Sequence, residues 1–184
     1  MAKRIDLRAY QESIASRLAA AQAGDGTPAL LGFEANDTRW LIDLPAAGEV
    51  LPLPVVTPVP LTRAWFAGLT NVHGELSSVV DFSVFCGGAP TPREGSARLL
   101  CVGLRHGMSC TLLVARVFGL KRTDTLFIAD DGAASTAARP WRGDLLTDTQ
   151  GQRWARLEID KLFVDPVFLD AALPDAALEP ATCQ

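Results

Sequence analysis

The sequence predicts a mainly β chain preceded by one amphipathic helix, and three observations carry that reading. The hydrophobic period changes from near 3.6 to 2 after Pro28. Short alternating segments then follow one another with turn residues between them. The longest apolar runs are only a few residues, far short of the roughly 20 that cross a bilayer.

Ile5 to Ala23 places Leu7, Tyr10, Ile14, Leu18 and Ala21 at steps of three and four, the stripe of a helix with one apolar face. Ala19, Ala20 and Ala21 favour it intrinsically, and Gly24-Asp25-Gly26-Thr27-Pro28 ends it. Residues 1–28 are thus read as a helix and linker, serving either as a cap on their own domain or as a partner-binding or self-associating element.

Leu30 to Ala35 and Arg39 to Leu44 flank Asn36-Asp37, a hairpin signal. Trp40, Ile42 and Leu44 share one face and Arg39 and Asp43 the other, so one face is expected in the core. Arg98 to Leu104 and Met108 to Val114 form a second hairpin about His106-Gly107, and Leu126 to Ile128 is a short strand. Trp154 to Asp160 alternates Ala155, Leu157 and Ile159 with Arg156, Glu158 and Asp160. Pro52 to Pro60, Gly87 to Gly95 and Asp130 to Arg142 read as surface connections. The first carries four prolines, which cannot donate to a central ladder, so it belongs at an edge or in a loop. A proline-recognising module would also suit that run, but a stiff crossover is the simpler reading. Residues 29–170 are the expected folded domain, and 171–184 a flexible tail.

A chain of 184 residues with 48% hydrophobic content can bury a core. Its net charge of −4 comes from 17 basic and 21 acidic residues, and no window gathers the Lys and Arg that phosphate neutralisation requires. Nucleic acid is therefore not an expected partner. The opening Met-Ala-Lys-Arg-Ile-Asp-Leu-Arg lacks the apolar core of a signal peptide. A cytoplasmic protein without direct membrane insertion is expected. Cys86, Cys101, Cys110 and Cys183 are irregularly spaced, which predicts reduced thiols instead of a disulfide framework.

The most informative stretch is residues 67–82, Ala-Gly-Leu-Thr-Asn-Val-His-Gly-Glu-Leu-Ser-Ser-Val-Val-Asp-Phe. Gly68, Asn71, Gly74, Val79, Val80 and Asp81 fall in register on the pattern G-V-x-N-x-R-G-x-x-x-P-V-x-D-L. In this it resembles the signature of CheW-type chemotaxis coupling proteins, with His73 at the family's Arg. The likeness covers residues 29–168. It takes in Leu31-Gly32-Phe33 with Trp40-Leu41-Ile42, Ala47-Gly48-Glu49-Val50, Trp65-Phe66, Leu112 to Gly119, and the closing Leu157 to Phe163. The N-terminal extension is similar to that of the twitching-motility branch, the PilI-like proteins that serve type IV pili.

The resemblance implies two small five-stranded, SH3-like β-barrels side by side, with short helices. It also implies a non-catalytic adaptor, without cofactor or metal, joining the cytoplasmic tip of a methyl-accepting chemoreceptor to the regulatory domain of a CheA-type histidine kinase. By the same resemblance Ala47, Glu49, Gly68, Leu69, Asn71, His73, Gly74 and Asp81 carry protein binding. Gly68 and Gly74 suit a sharp turn or a close backbone approach, or an ordinary bulge. A bulky residue at Gly68 is expected to spare the fold and weaken kinase binding. Asn71 is placed to tie a turn, and Asp81 is read as a strand-end acid. Glu49 and His73 either meet as carboxylate and imidazole, a pair favoured at low pH, or His73 is simply solvated. Leu69, Val72, Leu76, Phe82, Leu51 and Leu53 are expected mostly inside.

Catalysis finds little support. Cys101, His106 and Cys110 form C-x₄-H-x₃-C, which matches no usual structural zinc spacing. A cysteine nucleophile would need an orienting acid and oxyanion donors that no motif supplies. Gly87-Gly88 lacks the Lys-Ser/Thr of a phosphate loop.

Overall fold

The computed structural model describes residues 29–103, 107–129 and 139–173. The expected N-terminal helix, Leu104, His106, Asp130 to residue 138 and the tail beyond Leu173 lie outside the described residues. Among the described residues eleven strands form two sheets. In the first, β1 (Ala29–Ala35) and β2 (Thr38–Asp43) make a hairpin. Joined to it are β8 (Arg116–Arg122), β9 (Leu126–Ile128), β10 (Arg142–Asp148) and β11 (Arg153–Leu157), in the order β8-β1-β2-β11-β10-β9. The second contains β3 (Ala47–Pro52), β4 (Phe66–Val72), β5 (Glu75–Asp81), β6 (Arg98–Val102) and β7 (Cys110–Val114), in the order β3-β6-β7-β5-β4.

The second unit is one continuous segment, β3 to β7, inserted between β2 and β8 of the first. The two units share one topology once the first is read from β8. Each has an edge strand antiparallel to a hairpin strand (β8 on β1, β3 on β6). Each then has a parallel pair (β2 with β11, β7 with β5) and a second hairpin (β10-β11, β4-β5). A short helix follows the parallel strand in both: α1 (Phe82–Phe85) after β5 and α2 (Ile159–Leu162) after β11. A circular permutation of this kind hides the repeat from a linear reading of the chain.

Both sheets curl so that one run of chain links their edges. In the first, β8 passes through a single 3₁₀ turn, Thr123–Thr125, into β9, which pairs with β10. The six strands are thus five, one of them interrupted. In the second, the chain beyond β3 reaches β4, where Thr57 and Leu69 exchange two backbone hydrogen bonds of 2.8 Å. Part of the Pro52 to Pro60 connection therefore bridges to the edge strand β4, a role open to a proline-rich segment because Thr57 supplies the one donor needed there.

The core explains a difference from the one-faced hairpin expected at Trp40. Trp40 and Ile42 enter the large cluster between the sheets with Phe33, Val80, Leu100 and Leu112. Leu41, on the opposite face, is equally buried, with Leu30 and Trp154 inside the first barrel. Val79, Leu99 and Leu113 form the corresponding small core of the second. Strands buried on both faces lose their polar alternation. Phe82 seals the joint, its ring centroid 5.2 Å from that of Trp40 and 6.0 Å from that of Phe33. Full burial of each such ring is worth about 2 to 3 kcal/mol.

Ile159 lies in α2, not in a strand. Beyond it, α3 (Pro166–Leu169) begins at Asp165, whose carboxylate accepts from Val167 N–H at 2.8 Å. Ala171 to Leu173, placed in the tail by sequence, are held: Arg63 N–H donates to Ala171 O at 2.8 Å and Leu173 N–H to Leu61 O at 2.9 Å.

Candidate functional site

The signature stretch forms β4, β5 and their tip. His73 and Gly74 occupy the turn with φ of 52° and 92°, the two positive values of a type I′ hairpin. Asn71 ties it, its Oδ1 accepting from Gly74 N–H at 2.8 Å. Because the barrel curls, this tip meets the opposite edge strand, and His73 Nε2 lies 2.6 Å from Glu49 Oε2 on β3. Both side chains remain exposed. Of the two arrangements the sequence leaves open for His73, contact with Glu49 or solvation alone, the structure has the contact.

A groove of about 180 Å³ runs beneath the pair, lined by Glu49, His73, Glu75, Ser77, Cys101 and Cys110. Burial favours the neutral form of its thiols. Burial raises the Cys101 thiol above its ordinary range, with the Glu49 charge adding to the effect. Burial also pushes Cys110 up to about 11, despite a hydrogen bond with Ser78, and Cys86 up to about 12. At neutral pH all three are protonated. Among the described residues no group of three or more His, Cys, Asp or Glu side chains is disposed to hold a metal.

The remaining singled-out residues divide by burial. Leu69 is half-buried and Asn71 exposed. Ala47 is buried and belongs to the core between the sheets, so its side chain is no contact surface. Gly68 is buried with φ of 134°, and a Cβ there would fall 2.7 Å from the Thr57 carbonyl carbon and 3.0 Å from Pro58 Cα. The expectation that a bulky residue at Gly68 spares the fold is overturned, because barrel closure at Thr57 occupies that space. Asp81 is a buried hub. One oxygen accepts from Ser83 N–H at 3.1 Å and from Thr91 Oγ1 at 2.7 Å, and the other from Thr91 N–H at 2.9 Å. It caps α1 and fastens the following loop.

Sequence reasoning missed two features. Thr91 sits in a loop with no periodic signal, and only the geometry shows it meeting Asp81. Leu76, expected mostly inside, is 66% exposed beside the turn. It shares a face of β5 with Val80, but lies at the strand's far end, beyond the packing between the sheets.

The family model for the CheW-like domain matches residues 29–166. The chain belongs to the CheW-like domain family. Members of that family are non-catalytic scaffold proteins. The chain is 28% identical over 118 residues to Protein PilI of Pseudomonas aeruginosa strain PAO1, a match covering 64% of this chain and 65% of that protein. It thus spans about two thirds of the length of that relative. Its fold is similar to the crystal structure of the scaffolding protein TtCheW from Thermoanaerobacter tengcongensis, with a TM-score of 0.60 and 16% identity, covering 71% of this chain and 88% of that one. Among the described residues no helix is long and apolar enough to cross a membrane.

Proposed function

We propose that this CheW-like protein is the adaptor of a chemosensory array, joining the cytoplasmic tip of a methyl-accepting chemoreceptor to the regulatory domain of a CheA-type histidine kinase. The array it serves controls type IV pilus twitching motility, and the protein acts in the cytoplasm beside membrane-bound receptors. The observation that carries this reading is the Glu49–His73 contact, formed in the open at the barrel tip where the family resemblance puts its acid and arginine. Exposed Leu76 beside it supplies apolar area. Glu49, His73, Leu69, Asn71 and Gly74 present the surface, while Ala47, Gly68 and Asp81 hold its shape. A half-polar surface of this kind suits weak signalling contacts, which gain strength when many copies are arrayed. Likeness to PilI favours the pilus branch.

The test is calorimetric titration of the full chain against the kinase regulatory domain and, separately, the receptor tip. Binding of both is expected, with E49K and L76D weakening at least one of them while the unfolding midpoint holds. A wild-type protein that binds neither overturns the reading, as does a deletion strain that twitches normally.

A further inference from the structure

The coupling reading leaves an apolar surface unused on the strap that follows β11. This strap, α2 and α3, runs from the first barrel to residues 61–63, which lead into β4 of the second. There Thr62 bridges Ala172, and Leu173 N–H donates to Leu61 O at 2.9 Å. Phe168 anchors the strap, its ring stacked on Trp65 with centroids 6.1 Å apart. Its neighbours face outward. Val164 is 72% exposed, Leu169 55%, Leu61 56% and Leu173 37%.

These four fall into two couples. Val164 and Leu169 hold the N′ and N4 positions about the Asp165 cap, whose side chains face each other in a hydrophobic staple. Leu61 and Leu173 stand opposite each other across the short ladder. Asp170, held by Arg63, separates the couples.

Leu61 marks this surface as more than chance exposure. Its φ of 60° puts a bulky side chain in the left-handed region, which Asn36, Asp37 and His73 enter only in hairpin turns. A strained leucine left in the open recovers little from burial, and covering it supplies what is missing.

The tether decides what covers it. Leu31, Ile42 and Leu157 lie in one row, with β2 antiparallel to β1 and parallel to β11. Ala29 and Ile159 therefore emerge at the same end of the barrel, two strand spacings or about 10 Å apart. Val164 follows Ile159 by five residues, about 8 Å of helical rise. The linker Gly24 to Pro28 reaches about 17 Å, so residues 5–23 arrive at the strap. Their predicted stripe, Leu7, Tyr10, Ile14 and Leu18, is about 16 Å long as a helix, which matches two couples set end to end. The competing segment is poorer: between Leu173 and Gln184 the sequence offers one large apolar side chain, Leu178.

We propose that residues 5–23 dock in cis, as a helix, on the surface formed by Val164, Leu169, Leu61 and Leu173. The docked helix lies across the strap that joins the barrels, and any partner of its apolar stripe has to displace it. This inference does not rest on the coupling reading.

The experiment uses the full chain with p-benzoylphenylalanine in place of Tyr10, irradiated, digested and read by mass spectrometry. The expected product is a link within one chain from position 10 to Leu61 or to residues 164–173. Links to Phe127 or Ile128, which are also exposed, overturn the proposal, as do links between two copies or no link at all. Hydrogen exchange gives a second readout. In L61D/L169D the amides of residues 7–18 are expected to exchange about tenfold faster or more than in the wild type, while β1 and β5 keep their protection. Unchanged exchange at residues 7–18 overturns the docking. Because the cross-link is made with the strap surface intact, it decides the matter even if the double variant fails to fold.

Discussion

His73 Nε2 sits 2.6 Å from Glu49 Oε2 although 24 residues separate them and their strands stand at opposite edges of the sheet order. Only the curl of the second barrel brings them together. With 69% and 48% of their side chains exposed, an ion pair between them is worth about 1 kcal/mol at most. H73A and E49Q should therefore leave the urea midpoint close to wild type while lowering affinity for the kinase or receptor fragment. Parallel loss of stability and binding would show that the pair acts on the fold alone.

Gly68 and Gly74, six residues apart in one signature, should respond differently to the same substitution. At Gly74 a Cβ meets nothing within 4 Å, so G74A costs only the left-handed backbone, about 1 kcal/mol. At Gly68 the new atom collides with backbone of the Thr57–Pro58 segment, which cannot give without breaking the Thr57–Leu69 bridge. G68A should cost about 3 kcal/mol or more, and G68V should prevent folding. Equal losses in denaturant titrations would refute the closure argument.

Asp81 gathers four donors at the start of α1. Truncation in D81A leaves the Thr91 N–H and the first turn of the helix without their acceptor. A loss of about 3 kcal/mol is expected, with hydrogen exchange rising at Ser83 and Thr91 first. Unchanged exchange at Thr91 would contradict the hub role.

Most strands were legible because turn chemistry brackets them: Asn36 and Asp37 both adopt φ of 51° between β1 and β2, and Leu126–Ile128 has the expected bounds. The family signature likewise marked Gly68 and Asp81, yet not why they matter. Gly68 is fixed by Thr57, eleven residues upstream, and Asp81 by Thr91, ten downstream. Such contacts leave no periodic trace. The repeat was hidden for a related reason, since insertion of one barrel into the other scrambles the order in which equivalent strands appear. Burial of Leu41 on the face of Arg39 and Asp43 is not legible from alternation, which reports one buried side where β2 has two.

Buried thiols make a chemical prediction. Cys86 and Cys110, pushed up to about 12 and about 11 chiefly by burial, hold almost no thiolate at pH 8. Iodoacetamide should leave both unmodified in the folded protein, as peptide mass spectrometry would show, and label them once urea unfolds the chain. Rapid native labelling of Cys110 would mean that the groove beneath Glu49 opens far more than its packing allows.

Asp148 supplies the pH dependence of the first barrel. Burial by itself would push its carboxyl up. The Gln152 N–H at 3.0 Å, the Trp154 indole N–H at 3.0 Å, the Gln150 N–H at 3.0 Å and the Lys121 ammonium at 3.3 Å outweigh it. The folded group thus titrates below the ordinary aspartate value of about 3.9. Because the unfolded chain takes up the proton first, the stabilisation is complete above that value and is lost as pH falls through the lowered folded one. Urea titrations from pH 6 to pH 2.5 should show wild-type stability falling across the acid end. D148N should start about 2 to 3 kcal/mol lower and fall less steeply, since an amide has no proton to take up. If the two curves run parallel throughout, the acid sensitivity arises elsewhere, and the four-donor cage around Asp148 contributes nothing that depends on charge.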